Sequence, residues 1–129
     1  MRRRGSPKLL SAAVVTLWLT AGGSAGAIAG DVDVVGVKVT KSAPGVYRFD
    51  VTLRHEDTGW DHYADKWEVL GPDGTVLGER VLLHPHVDEQ PFTRSTSVRI
   101  PDGVTSVTVR GHDKVHGFSG KTVIVDLPE

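Results

Sequence analysis

Tyr47-Arg48-Phe49-Asp50-Val51-Thr52-Leu53-Arg54 is the stretch whose reading decides the fold. Aromatic and aliphatic side chains alternate here with charged and polar ones, and a period of two is what a strand with one buried face requires. Working outward, Val- and Thr-rich runs occupy about 31–40, 62–70, 75–84, 92–100, 104–112 and 120–127, separated by turn-forming Pro, Gly, Asp and Ser. No segment repeats apolar residues at helical spacing. Gly36, between Val35 and Val37, breaks the alternation of the first run and predicts a bulge there.

Seven short strands in about 100 residues, with Trp67 on the third, predict an all-β fold. The expected architecture is a seven-stranded antiparallel sandwich of the immunoglobulin-like or fibronectin-III-like kind, with Trp67 pinning its core.

The first residues read differently. Arg2, Arg3, Arg4 and Lys8 precede an apolar run from Leu9 to Ala21, and Ala27-Ile28-Ala29 supplies a small-x-small pattern. This is the layout of a secretory signal peptide over residues 1–29, with the mature domain at 30–129. The run is shorter than the roughly 20 residues a membrane span needs, so no membrane insertion is expected after cleavage. The expected location is exported, periplasmic or secreted, by either the general secretory or the twin-arginine route.

Four of the fifteen basic residues fall in that leader, so residues 30–129 carry eleven against sixteen acidic residues, a formal charge of −5. Such a balance argues against nucleic acid as a partner, because neutralising phosphates takes a basic excess. The chain has no cysteine, which excludes disulfides, thiolate metal sites, a Cys nucleophile and acylation at a lipobox.

Connections separate by the end of the sandwich they occupy. Ser42-Ala43-Pro44-Gly45, Gly71-Pro72-Asp73-Gly74 and Pro101-Asp102-Gly103 are tight turns. The even-numbered connections, 55–62, 84–91 and 112–120, are long and polar, and they contain all six histidines of the chain. Long loops on a rigid scaffold are where binding sites are placed. The histidine end is therefore the expected functional surface.

Neutral imidazole is the commonest metal ligand. His84-Pro85-His86 places two rings on one side of an extended chain, and the candidate co-ligands are His62, His112 and His116 from the other two loops. His55 continues the inward parity of Tyr47 to Leu53. With Asp61, Asp65 and Glu89 it is a candidate to orient or supplement the ligands, while Trp60 is a candidate contact residue. Asp65 shares the parity of Trp67 and would need a partner if it pointed inward. Residues 30–129 lack Met and Cys, so the ligands that select Cu(I) are missing, and the expected ion is Cu(II) or Zn(II). Gly30 has no histidine near it in the sequence, which argues against a copper site built on an N-terminal amine.

No catalytic residue is assigned. Ser119 lies near His116 but without a strained elbow or oxyanion motif. The alternative to a metal is a protein or glycan partner, held without a metal by Trp60, His62, Tyr63, Phe92 and Phe118 at the same end.

Residues 59–67 and 82–94 resemble a group of small uncharacterised exported proteobacterial proteins. The resemblance implies a shared sandwich and secretion, and it brings no activity or ligand with it.

Overall fold

A computed structural model describes residues 30–129, so the expected signal peptide lies outside the described residues. Seven strands follow in order: β1 (Asp33–Ala43), β2 (Val46–Arg54), β3 (Ala64–Leu70), β4 (Val76–Val81), β5 (Phe92–Arg99), β6 (Ser106–Asp113) and β7 (Val123–Asp126). They form two antiparallel sheets, one ordered β1-β2-β5 and the other β4-β3-β6-β7. In a constant-type immunoglobulin domain the fourth strand joins the first, second and fifth. Here β4 stays beside β3, which places the fold on the fibronectin-III side of the expected pair.

The alternation of β2 is carried into packing as expected. Phe49, Val51 and Leu53 are fully buried and meet Trp67, Val69, Val107 and Val109 from the opposing sheet. Burying a side chain of this size contributes roughly 1.5–3 kcal/mol, so the fourteen buried apolar residues are what hold a domain without disulfides. The register of β1 against β2 shifts between Val34 and Gly36, at the bulge the glycine predicts.

The runs read from the sequence are longer than some of the strands. β3 begins at Ala64, β4 ends at Val81 and β7 spans only Val123–Asp126. The surplus residues peel away at the histidine end, where Leu82 makes a last backbone bond to Asp65 before the chain turns toward Pro85.

The two ends differ as expected. Ile100 N–H donates to Gly45 O at 2.8 Å, joining the first and fifth turns, and Gly71, Leu77, Pro101 and Val104 bring the third turn alongside. At the other end, the β2–β3 and β4–β5 connections cross between sheets and meet the β6–β7 connection. The start of β1 is strapped to this end as well: Ser119 donates to Asp31 (2.6 Å), Lys121 N–H to Asp33 (2.8 Å) and Val34 N–H to Lys121 O (2.9 Å). Among the described residues, no helix is long and apolar enough to cross a membrane.

Candidate metal centre

Strand parity builds the site. Past Leu53 the inward side of the β2 chain continues through His55 and Asp57, both buried. On β6 the inward series is Val107, Val109, Gly111 and Asp113, and Asp113 is fully buried. The two inward rows run off the apolar core at the same end, and their last side chains are ionisable.

Asp113 Oδ1 accepts the backbone N–H groups of Val115 (2.7 Å) and His116 in the tight turn that closes on Gly117. That leaves Oδ2 facing three imidazoles: His55 Nε2 at 3.2 Å, His116 Nδ1 at 3.2 Å and His62 Nε2 at 3.6 Å. The His62 ring stands 4.9 Å from each of the other two rings, centroid to centroid. One ligand atom each from His55, His62 and Asp113 lies within 4.8 Å of the other two, a group that could hold a metal ion.

Each member is held from behind. Asp57 takes the Nδ1 side of His55, the N–H of Ala64 (3.0 Å) and the N–H of His86 (2.6 Å). His55 N–H donates to Gln90 Oε1 at 2.9 Å. A carboxylate behind an imidazole that faces an ion is the usual arrangement for fixing ring orientation and tautomer.

The proton inventory follows from the acceptors. His55 Nδ1 faces the Asp57 carboxylate, and Nε2 faces the Gly30 carbonyl at 2.7 Å as well as Asp113. A carbonyl oxygen only accepts, so the network assigns a proton to both ring nitrogens when no ion is bound. Burial disfavours that cation, but the Asp57 hydrogen bond and charge, the Gly30 carbonyl and Asp113 outweigh burial and raise the His55 pKa above its ordinary value. Burial acts to raise Asp57 and Asp113, yet both are lowered. His55 and the N–H groups of His86 and Ala64 stabilise Asp57 as an anion, and the N–H groups of His116 and Val115, then the His116 ring and His55, do so for Asp113.

His62 Nε2 is different. It faces the Asp113 carboxylate and, like His86 Nδ1, is buried with no hydrogen-bond partner among the described residues. A buried polar atom without a partner costs about 1–3 kcal/mol. A cation between it and Asp113 Oδ2 would remove that cost.

The structure divides the six histidines into three sets and does not gather them into one shell. His62 and His116 join His55 around Asp113. His84 and His86 pack with their rings tilted at 34° and centroids 4.6 Å apart, and His86 lies flat on Phe92 at 3.9 Å with Nε2 against Arg94 at 2.8 Å. Its pKa is lowered by burial and by Arg94 and His84. The Nδ1 of His86, buried and without a hydrogen-bond partner among the described residues, is 4.0 Å from Asp57 Oδ2. His112 follows inward Gly111 and precedes inward Asp113, so it points the other way. It pairs with Asp65 at 2.6 Å and packs edge-on to Phe118 at 4.6 Å.

Asp65 also departs from its expected parity. The β3–β6 register shifts between Ala64 and Lys66, and this turns Asp65 out of the core toward His112. Trp60 is exposed and T-shaped on Tyr63, Asp61 is exposed, and Glu89 lies 3.4 Å from Arg94 at the surface. Asp57 and Asp113 were not among the residues singled out from the sequence.

Gly30 too is nearer the histidines than its sequence position implies. Its carbonyl accepts from His55 Nε2 (2.7 Å) and His116 Nδ1 (3.1 Å), because the strap to residues 119–121 folds the start of the chain against the sixth connection.

No family model matches the chain, and no solved structure matches it. A curated protein of Halomicrobium mukohataei described as "Putative lipoprotein" is 45% identical over 96 residues, which make up 74% of this chain and 47% of that protein. The chain thus spans about half the length of the curated relative it matches. That relative is haloarchaeal, which corrects the proteobacterial resemblance read from residues 59–67 and 82–94. Those segments are loops and strand ends, too short to fix a lineage.

Proposed function

We propose that this chain is an exported metal-binding module that takes Cu(II) or Zn(II) through His55 Nε2, His62 Nε2 and Asp113 Oδ2, with His116 beside the open position. The unpartnered, buried Nε2 of His62, 3.6 Å from Asp113 Oδ2, is the observation that carries this reading. Ligand bonds of about 2.0–2.2 Å put neighbouring donors in a tetrahedron roughly 3.3 Å apart. The distances to Asp113 Oδ2, 3.2 and 3.6 Å, lie close to that spacing, and the three ligand atoms are all within 4.8 Å of one another.

Charge supports a dication. Asp57 and Asp113 are fully buried as side chains, and the charge of a divalent ion would balance both. Two imidazoles and a carboxylate suit Cu(II), which leads by intrinsic affinity, and Zn(II), which leads by its ease with tetrahedral N/O sites. Export is supported by the charged start, short apolar run and Ala27-Ile28-Ala29, and by the description of the relative. This chain has no cysteine to carry the thioether-linked lipid of a lipoprotein.

Calorimetric titration with each ion tests the reading. One equivalent should bind the native protein, and His62→Ala should weaken binding at least 100-fold while leaving the fold intact. Equal binding by both proteins would overturn it. A non-metal partner is the second reading, favoured by Trp60 (63% exposed), Leu83, Val87, Val115 and Phe118, which stand exposed in or beside the same loops.

A further inference from the structure

The α-carbon of Gly30 sits inside the histidine cluster. A methyl group built on it would lie 2.6 Å from His116 Cε1, 3.1 Å from His116 Nδ1 and 3.1 Å from His62 Cε1, and its φ is +101°. Only glycine fits there. Two of the groups on this carbon are thereby accounted for: the carbonyl, bonded by His55 and His116, and a hydrogen facing the rings. The nitrogen is the remaining heavy-atom substituent. It is bonded to the same carbon at about 1.5 Å, so it lies within about 2.5 Å of the position that already touches both rings.

Gly30 is also the residue that follows Ala27-Ile28-Ala29. Within a longer chain its nitrogen is an amide whose lone pair is delocalised and does not bind metal well. Hydrolysis of the Ala29–Gly30 bond adds water across it, leaving a carboxylate on Ala29 and an amine on Gly30. Such an amine has a localised lone pair that a metal ion can take in place of a proton.

We infer that the freed amine of Gly30 is a further ligand of the ion held by His55, His62 and Asp113, so that removal of the leader completes the metal site. This rests on the metal-binding reading above. The Gly30 amine and carbonyl can close a five-membered chelate ring on one ion, and the straps from Asp31 and Asp33 to residues 119–121 hold that end of the chain in place. A site assembled in this way stays incomplete until processing, which restricts tight loading to the exported form. Gly30 then serves two purposes, since any side chain would strike His116 and the amine would be pushed out of the cluster.

The test uses the exported, processed protein, with its first residue fixed by N-terminal sequencing and Cu(II) as the probe. A variant with Ser-Ala inserted between Ala29 and Gly30 keeps every side chain but converts the Gly30 nitrogen to an amide. The processed native protein should begin at Gly30 and bind Cu(II) at least tenfold more tightly than the variant. Pulsed electron paramagnetic resonance of native protein labelled with nitrogen-15 glycine should show one strongly coupled glycine nitrogen, a readout independent of how the variant folds. A different first residue, or Cu(II) bound without that coupling, would overturn the inference and leave the His55/His62/Asp113 site standing. Absence of Cu(II) binding by native protein and variant alike would overturn both.

Discussion

His55 and Asp113, 58 residues apart in the chain, meet with Nε2 and Oδ2 3.2 Å apart and both side chains fully buried. They come from opposite sheets, His55 from the inward row that runs on from β2 to Asp57 and Asp113 as the last inward residue of β6. Their meeting makes the histidine end a candidate chemical site rather than a set of polar loops.

Asp113→Asn should remove metal binding. The amide still offers an oxygen to the Val115 and His116 N–H groups, but it turns an N–H₂ group and no charge toward the three imidazoles. Affinity for Zn(II) should fall at least 100-fold by calorimetry. The ion-free protein should lose about 1–3 kcal/mol in urea denaturation, the range for a mismatched buried polar group.

Metal binding should release protons at neutral pH, because His55 is held protonated above its ordinary pKa by Asp57, the Gly30 carbonyl and Asp113 against the opposing effect of burial. Affinity should weaken by up to tenfold per pH unit for each protonated ligand, beginning above pH 6.5. Titrations in buffers of different ionisation enthalpy measure the proton count directly. A count of zero at pH 7 would contradict the proton assignment.

Stability of the ion-free protein has its own pH profile. The raised pKa of His55 contributes stability that is fully present below the unfolded value near 6.5 and is lost as pH rises through the folded value. The lowered pKa values of Asp57 and Asp113 contribute stability present above the unfolded value of 3.8 and lost as pH falls through the folded values. His86, lowered by burial, Arg94 and His84, has the opposite sign to His55: its contribution is present above 6.5 and lost as pH falls through its folded value. In a His86→Phe background the midpoint urea concentration should therefore rise from pH 8 toward pH 6 and collapse below pH 4. A flat profile between pH 8 and 6 would count against a charged His55.

Replacing His84 and His86 together with Ala should leave metal affinity within about threefold of native. The His86 N–H that serves Asp57 survives the change, while the ring stack on Phe92 is lost, a cost of roughly 0.5–1.5 kcal/mol. Loss of binding in this variant would shift the site to the fourth connection.

Gly111→Ala tests the close approach of β6 to the start of β1. A β-carbon at Gly111 would run into the Val32 side chain and touch Leu53, and overpacking of this kind costs about 1–3 kcal/mol. A variant as stable as native would mean that the strand pair has room that the structure does not show.

The strand count, the core face of β2, the Gly36 bulge and the two-ended sorting of the loops were legible because each rests on local alternation or turn chemistry. The same alternation, carried four residues beyond Leu53 and read along β6, would also have found Asp57 and Asp113 and turned His112 outward. Two things were beyond local pattern. The bulge that rotates Asp65 arises from pairing between β3 and β6, and the arrival of Gly30 beside His62 and His116 depends on hydrogen bonds to residues almost ninety positions away. Glycine also carries no side chain to mark it as part of a site.

The most direct test of the central claim is a crystal of Zn(II)-loaded protein measured at the zinc absorption edge. The account predicts one anomalous peak at about 2.0–2.2 Å from His55 Nε2, His62 Nε2 and Asp113 Oδ2. A peak at His84 and His86, or none at the Asp113 carboxylate, would contradict it.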